Sequence, residues 1–255
     1  MEMTEQQARA AIRTDFNRLG VLSGDVVLMH SSYKALGPVA GGIETVIAAL
    51  IETVGDTGTV LVPALSYMQE PRHVHDTRST PSCIGAIAEY FRLRPGTRRS
   101  LHPTHSVCGI GHHADMLLAD HLLDNTPCGS HSPFQKMVDY DAKIIMLGCG
   151  LRPNTTMHSL EELVEPPYLL TGEKSYEITD GDGQTFNKNY RGHNFDGWGQ
   201  RYDRVADLSD TRFMRRGPVL AAETHVIETP GLRKAVTDQL KIDPFYFVEP
   251  IASDS

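Results

Sequence analysis

The fold of this chain is decided by residues 25–63, which read DVVLMHSSYKALGPVAGGIETVIAALIETVGDTGTVLVP. A short apolar run at each end of this stretch has the length and composition of a buried strand. Between the two runs, residues 43–53 carry apolar side chains at helical spacing: Val46, Ile47, Leu50 and Ile51. This order of strand, helix and strand predicts a βαβ unit, and therefore an α/β sheet.

The flanking segments continue the alternation of helices and strands. Residues 4–19 form an amphipathic pattern, and the apolar run 142–147 predicts another buried strand that leads into a helix. The segment Glu177–Phe186 predicts a β-hairpin that turns at Asp180-Gly-Asp-Gly183. Further predictions are a long loop at 66–82, helices at 84–92, 198–208 and 231–240, and a strand at 219–229. No linker or repeat interrupts the pattern, so we predict one domain over residues 1–255 with an inserted β-hairpin.

Composition narrows the class of protein. The 255 residues are 40% apolar, enough for a large core, and carry a net charge of −8 without a basic stripe, which argues against a nucleic-acid partner. The four cysteines are widely spaced and form no CxxC pair, as is typical of reduced thiols. The N-terminus lacks the features of a signal peptide, and no apolar run reaches the ~20 residues that span a bilayer. We therefore expect a soluble, cytoplasmic protein that does not enter membranes.

One candidate binding element is the loop from His30 to Gly42, which follows the first strand and opens a helix. Its glycines and small residues allow a ligand to approach backbone N–H groups, and a helix N-terminus favours an anion such as a phosphate or pyrophosphate. The loop is neither a P-loop nor a GxGxxG motif. A simple helix start with two flexible glycines is the alternative.

A second candidate is the segment GLRPNTTMHSLEE, residues 150–162, which follows the strand at 142–147. Asn154 or Thr155 can cap its helix. His158 then shares one helical face with Glu161 and Glu162, because residues three and four apart align. An imidazole oriented by a carboxylate is a plausible general base. A solvated helix face explains the same spacing equally well.

Two other kinds of chemistry have weaker support. His73, His75, His102, His105, His112 and His113 suggest a metal, but HExxH and other recognised ligand spacings are absent, so we predict no metal. The segment Gly129-Ser-His-Ser-Pro133 is not GxSxG, so a hydrolase nucleophile elbow is not indicated.

Several short motifs follow one another along the chain: His30-Ser-Ser-Tyr-Lys-Ala-Leu-Gly37 with Gly41-Gly42, Leu61-Val-Pro63 with Ser66-Tyr67, Ile84 to Arg92, Arg99-Ser-Leu-His-Pro103 with Ser106, Ser132-Pro133, Leu147-Gly148, and Asn154-Thr-Thr-Met-His158-Ser-Leu-Glu161. Taken in this order, they resemble the aminoglycoside 3-N-acetyltransferase family, the antibiotic acetyltransferases that lack the GNAT fold. The resemblance covers roughly residues 5 to 245, and the ordered set is specific although each motif alone is weak.

The resemblance implies a three-layer α/β/α sandwich with a central mixed sheet, and an enzyme that moves an acetyl group from acetyl-CoA to an amine. It implies His158 as the general base, Glu161 as its partner, CoA as the co-substrate, a small-molecule amine as the acceptor and no need for a metal. A homodimer is compatible with the sequence. The residues expected around CoA are His30, Ser31, Ser32, Lys34, Leu36, Gly37, Val39, Gly41, Gly42, Ser106 and Thr156, and those expected on the substrate side are Tyr67, Asp76, Glu162 and His193.

Some choices stay open at this stage. The family usually has Leu-Ala-Glu after the histidine, whereas this chain has Ser159-Leu160-Glu161 followed by Glu162, so either carboxylate can orient His158. An acidic pocket for a cationic aminoglycoside would come from Glu161, Glu162, Glu165 and Asp76. The alternatives are an N-acyltransferase for another amine, a metal-dependent hydrolase and a non-catalytic CoA-binding module.

Overall fold

The computed structural model of the protein describes residues 3–251. The α-helices are α1 (Glu5–Arg18), α2 (Gly42–Val54), α3 (Ala86–Leu93), α4 (Ala114–Leu118), α5 (Pro133–Lys136), α6 (Thr156–Glu162) and α7 (Thr229–Ile242). The strands are β1 (Val26–Ser31), β2 (Thr59–Pro63), β3 (Val74–Asp76), β4 (Arg98–Arg99), β5 (Val107–Gly111), β6 (Lys143–Leu147), β7 (Leu170–Thr179), β8 (Thr185–His193), β9 (Trp198–Gln200), β10 (Met214–Val219), β11 (Ala222–Glu228) and β12 (Val248–Pro250). Short 3-10 helices lie at Tyr33–Leu36, His121–Leu123, Met137–Tyr140 and Tyr202–Asp207.

A seven-stranded mixed sheet forms the centre, in the order β10-β11-β6-β1-β2-β5-β4. Strand β1 pairs in parallel with β2 on one side and with β6 on the other. The outer strands β11 and β5 run antiparallel to β6 and β2. The later parallel strands β2 and β6 thus lie on opposite sides of β1. The carboxyl ends of β1, β2 and β6 lie together at one edge of the sheet. In open α/β sheets this is where ligands bind.

The central sheet is covered by helices on both faces, because successive side chains of a strand point to opposite sides. Val27 and Met29 of β1 pack in a buried cluster with residues of α1, α2 and α3. Val26 and Leu28 pack in a second cluster with residues of α4, α5, α6 and α7. The predicted three-layer α/β/α sandwich with a mixed central sheet is therefore confirmed.

A close approach fixes the loops that leave β1 and β6. Gly148 follows β6 with φ +67°, and a Cβ atom built on it would lie 2.5 Å from the Cβ of Ala35 in the 3-10 helix after β1. A side chain at this position would push the two loops apart. The glycine therefore holds together the two segments that carry the candidate binding loop and α6.

Helix α6 begins and ends for local reasons. The Asn154 side-chain oxygen accepts the N–H of Thr156 at 3.1 Å, whereas Thr155 makes no capping hydrogen bond through its side chain. The helix stops at Glu162. Pro166 disfavours helical geometry in the residue before it, and Glu165 has a φ of +49°. Glu165 is therefore outside the helix that carries His158.

The predicted hairpin is present and longer than expected. Strands β7 and β8 pair in antiparallel fashion from Leu170 to His193, and β3 adds to β7 in parallel to give a second, three-stranded sheet. The expected helix near 198–208 is instead strand β9 followed by a 3-10 helix at Tyr202–Asp207. Tyr202 and Val205 are both buried, and a spacing of three residues fits the three-residue turn of a 3-10 helix.

Candidate active site

A cavity of about 780 Å³ opens at the carboxyl ends of β1, β2 and β6. His30 and Ser31 come from the end of β1, Pro63 from the end of β2, and Asn154 and Thr155 from the segment after β6. The hairpin and the segment after it close the other side with further lining residues, among them Arg191, His193, Phe195 and Tyr202. The sheet edge and the inserted hairpin thus build one cavity between them.

His158 lies in the cavity wall and is backed by a buried carboxylate. Its Nδ1 is 3.3 Å from Glu161 Oε2, and the side chain of Glu161 is fully buried. Tyr202 donates its hydroxyl to the same Glu161 oxygen at 2.7 Å and lies 2.8 Å from His158 Nδ1. Tyr168 donates to the other oxygen, Oε1, at 2.7 Å. Glu161, rather than Glu162, therefore contacts His158.

The two tyrosines keep their protons. Burial, followed by the charge of Glu161, raises the pKa of both Tyr168 and Tyr202 above the usual value for tyrosine. Both hydroxyls therefore donate to the carboxylate oxygens of Glu161. This network assigns the ring proton of neutral His158 to Nδ1. Its Nε2 then has a free lone pair and no hydrogen-bond partner within residues 3–251, as a general base requires.

A second histidine–glutamate pair lies directly beside the first. His193 Nε2 is 2.7 Å from Glu162 Oε1, and the rings of His158 and His193 lie 4.4 Å apart. Glu162 also accepts the Thr126 hydroxyl at 2.6 Å and the Cys128 backbone N–H at 2.8 Å. The hydrogen bonds from Thr126 and Cys128 lower the pKa of Glu162, but burial has the larger effect and raises it to about 7. Burial also lowers the pKa of His193, so its imidazole is neutral.

Other buried histidines surround His158 without adding charge. Burial, and then the charge on His158, lowers the pKa of His30 to about 3. His105 is buried and its pKa is lowered by desolvation and by His193. His102 accepts the backbone N–H groups of Thr104 and His105, so it shapes the loop rather than facing a ligand. The imidazoles of His30 and His105 beside His158 are therefore neutral.

The expected site residues do not all face the cavity. Of those named from the sequence, His30, Ser31, Tyr67, His158 and His193 line it. Glu162 and Glu165 line a second cavity of about 520 Å³ instead. Asp76 caps the turn that follows it by accepting the N–H groups of Arg78 and Ser79. The expected residues that do not line the main cavity are Ser32, Lys34, Leu36, Gly37, Val39, Gly41, Gly42, Asp76, Ser106, Thr156 and the carboxylates Glu161 and Glu162.

Four of these residues are buried inside the protein: Leu36, Ser106, Thr156 and Glu161. The Ser106 hydroxyl donates to Ala64 O at 2.9 Å and accepts from Arg99 at 2.7 Å, and Ser106 is fully buried. The Arg99 guanidinium makes further hydrogen bonds to three backbone carbonyls, so this arginine holds loops together.

Some important residues carry no signal in the sequence. Tyr202 and Tyr168 complete the Glu161 network, yet Tyr202 is 44 residues from His158 along the chain. No local spacing connects them. Tyr202 reaches Glu161 because the 3-10 helix at Tyr202–Asp207 packs back onto α6, whereas Tyr168 follows α6 in the chain and lies seven residues after Glu161.

The fold and the site together define an α/β/α enzyme with a buried carboxylate–histidine pair at the edge of a mixed sheet. The chain belongs to the aminoglycoside 3-N-acetyltransferase family, whose model matches residues 28–241. The family resemblance seen in the sequence motifs is thereby confirmed.

Named relatives and solved structures agree. Aminoglycoside N(3)-acetyltransferase VII of Streptomyces paromomycinus is 31% identical over 251 residues, which cover 86% of this chain and 86% of that protein. A histidine-to-alanine mutant of AAC(3)-IVa in complex with a gentamicin superposes with a TM-score of 0.84 at 25% identity, over 98% of this chain and 93% of that one. AAC-IIIb in a binary complex with CoASH superposes with a TM-score of 0.80 at 25% identity, over 92% and 96%. Within residues 3–251, no helix has the length and apolar character needed to cross a membrane.

Proposed function

We propose that this protein transfers the acetyl group of acetyl-CoA to an amine of an aminoglycoside, with His158 as general base. The observation that carries the proposal is the arrangement around His158. Its Nδ1 is held by Glu161 and Tyr202, and it lines a cavity large enough for a ligand. The gentamicin complex and the CoASH complex of the relatives supply the two substrate classes.

The chemistry follows from the acceptor. An amine is protonated near neutral pH, and its nitrogen attacks a thioester carbonyl only after losing a proton. His158 Nε2 accepts that proton, directly or through one water, while Glu161 stabilises the imidazolium that forms. The nitrogen adds to the thioester carbonyl, and the tetrahedral oxyanion that forms then collapses with loss of the carbon–sulfur bond, so that the sulfur leaves as the thiolate of CoA. Of the two protons that the ammonium nitrogen loses on becoming an amide, one ends on the CoA thiol and the other passes to solvent. General-base help of this kind contributes about 100- to 10,000-fold.

The loop from His30 to Gly42 fits the role of the CoA-binding element. It leaves β1 at the edge where His158 lies, and Ser31 lines the same cavity. Gly42 opens α2 with φ +69°, and a Cβ built there meets nothing closer than 3.9 Å, so the backbone is open to a ligand. We assign this loop to the pantetheine and pyrophosphate of CoA. Of the three donors to the developing oxyanion that the sequence suggests, Ser31, Ser32 and Thr156, only Ser31 lines the cavity, so we assign this role to Ser31.

On the acceptor side we assign Tyr67 and His193, which line the cavity. The acidic pocket expected from Asp76, Glu161, Glu162 and Glu165 is wrong for this cavity, since none of the four lines its wall. The rim carries Arg72, Lys174 and Arg191 against one carboxylate, Glu70. This charge balance favours a second candidate, an N-acyltransferase that acts on an amine with fewer positive charges than an aminoglycoside.

The direct test is a thiol-release assay with purified protein, acetyl-CoA and a panel of amines. The panel contains gentamicin-, kanamycin- and apramycin-like compounds together with simple mono- and diamines. We expect CoA release with at least one aminoglycoside, and a loss of about 100- to 10,000-fold in kcat for His158→Ala. Turnover of simple amines alone would support the second candidate.

The matched control is His112→Ala, which changes an exposed histidine outside the cavity. This variant should retain the turnover of the unmodified protein. Isothermal titration with CoA should give the same affinity for all three proteins, which separates chemistry from binding. Near-normal turnover of His158→Ala would exclude His158 as the base.

A further inference from the structure

Three histidines from distant segments meet at one side of the cavity. His105 lies between β4 and β5, His158 lies in α6, and His193 is the last residue of β8. One ring nitrogen of each lies within 4.8 Å of a ring nitrogen of each of the others. The ring centroids are separated by 6.1 Å between His105 and His158, 5.0 Å between His105 and His193, and 4.4 Å between His158 and His193. This spacing is suitable for a single ion held by three imidazoles.

Each ring is anchored through one nitrogen, which leaves the other free. Thr104 Oγ1 lies 2.9 Å from His105 Nδ1. Glu161 and Tyr202 hold His158 Nδ1, and Glu162 Oε1 lies 2.7 Å from His193 Nε2. Metal-binding histidines show this pattern, in which an outer hydrogen bond fixes the ring orientation and the tautomer. The free atoms are Nε2 of His105, Nε2 of His158 and Nδ1 of His193.

The free nitrogen of His193 is a separate observation that points to a ligand. Its Nδ1 is buried and has no hydrogen-bond partner within residues 3–251. The His193 side chain is only 6% exposed, so water compensates little for the missing bond. Buried polar atoms in folded proteins normally have a partner. An ion shared with His105 and His158 would give this atom one.

We propose that His105, His158 and His193 bind a divalent transition-metal ion of the zinc type, and that the bound ion inhibits acetyl transfer. Three imidazole ligands with a fourth position open to water form a common zinc geometry. Coordination would occupy the lone pair of His158 Nε2, so that this nitrogen no longer accepts a proton from the amine. The inhibition rests on the proposed function, whereas the binding does not.

A competing ligand set shares His193. Cys128, Glu162 and His193 also bring ligand atoms within 4.8 Å of one another. In that set Glu162 Oε1 and His193 Nε2 are already hydrogen-bonded to each other. The two Glu162 oxygens also accept hydrogen bonds from Thr126 and Cys128. Binding there would have to break these contacts. The three-histidine set requires no such loss.

The binding test uses Zn²⁺ and Co²⁺ alone. Isothermal titration of the purified, chelator-treated protein with Zn²⁺ should give one ion per chain. Co²⁺ should give the visible absorption of a four- or five-coordinate nitrogen site. His105→Gln and His193→Gln should each abolish this binding, and Thr104→Val should weaken it about 10- to 100-fold, as expected for an outer-shell contact. Circular dichroism and the thermal midpoint establish that each variant is folded.

The matched controls are His112→Gln and His225→Gln, which remove histidines outside the three-histidine set and should leave the affinity unchanged. Equal Zn²⁺ affinity in the unmodified protein and in folded His105→Gln would overturn the proposal. A strong thiolate-to-Co²⁺ absorption band would overturn it too, because it would place the ion at Cys128.

Inhibition is measured separately, by loss of thioester absorbance, because Zn²⁺ binds the free thiols that a thiol reagent detects. Zn²⁺ should stop turnover over the range in which it binds, and a chelator should restore it. Binding without inhibition in an active enzyme would overturn the inhibitory role. An enzyme that binds Zn²⁺ but turns over no amine would refute the proposed function and leave the metal site in place.

Discussion

Replacing Glu161 with glutamine tests whether Glu161, rather than its neighbour Glu162, supports His158 as the proposed base. Glu161→Gln keeps the size of the side chain but removes the charge that lies 3.3 Å from His158 Nδ1. It also replaces one acceptor oxygen by an amide nitrogen, which only donates. The loss should appear in kcat, because the charge acts mainly on the imidazolium that forms during the reaction.

The magnitude follows from the distance and the burial. Two unit charges about 4 Å apart interact by about 4 kcal/mol at an effective dielectric constant of about 20. A change of about 1.4 kcal/mol in the barrier corresponds to a factor of ten in rate. We therefore expect kcat to fall about 1,000-fold for Glu161→Gln, with little change in the KM of either substrate.

The matched variant is Glu162→Gln, the same change one residue later. Glu162 contacts His193 rather than His158, so its loss in kcat should be clearly smaller. The assay is CoA release under saturating substrates, with thermal midpoints and calorimetric CoA affinities measured for both variants. The reasoning is refuted if folded Glu161→Gln loses less than about tenfold, or if Glu162→Gln is the more damaged enzyme.

Three further predictions concern the Tyr202 hydroxyl that donates to Glu161, the protonation of Glu162 and the loops that Arg99 holds together. Tyr202→Phe removes a hydroxyl that donates to Glu161 at 2.7 Å and should lower the free energy of unfolding by about 1–3 kcal/mol in urea titrations, with a drop in kcat; unchanged values for both would contradict the network. Burial raises the pKa of Glu162 from 4.5 to about 7. Between these two pH values the folded state keeps a proton that the unfolded state releases. The contribution of Glu162 to the free energy of unfolding therefore falls as the pH rises from 4.5 to 7. Glu162→Gln should remove this fall, about 3 kcal/mol at about 1.4 kcal/mol per pH unit, whereas parallel pH profiles of unfolding would argue against it. Arg99→Ala leaves the backbone carbonyls of Thr77 and Thr80 without a donor, whereas Ala64 O keeps the Ser106 hydroxyl, and it should cost roughly 3 kcal/mol. Arg98→Ala at an exposed ion pair should cost under about 1 kcal/mol, and equal costs would contradict the supporting role of Arg99.

Much of the fold could be predicted because its elements have strong local patterns. The strands at 26–31, 59–63 and 143–147 and the helix at 42–54 lie within a few residues of their predicted bounds. The failures occurred where the pattern was ambiguous. Residues 198–208 carry buried side chains three apart, a spacing that an α-helix and a 3-10 helix share, and the structure contains a strand and a 3-10 helix.

The sequence also placed His158 next to two carboxylates but could not choose between them. Viewed down a helix axis, the residues three and four positions after His158 lie on opposite sides of it, rotated about 60° and 40° away from it. Local geometry therefore allowed both Glu161 and Glu162. The choice depends on what packs against each side: Tyr168 and Tyr202 around Glu161, and Thr126 and His193 around Glu162.

The sequence by itself determined the alternation of strands and helices, which depends on residues close together along the chain. It also determined the family, through the order of short motifs over residues 5 to 245, and the resemblance in turn indicated the histidine that carries the proposed chemistry. Only the tertiary structure decided which carboxylate contacts His158, that the carboxylates expected to form an acidic pocket do not line the cavity, and that His105 and His193 lie beside the proposed base. These features depend on contacts between segments tens of residues apart. Burial then decides the protonation of the groups that meet there, because desolvation disfavours their charged forms.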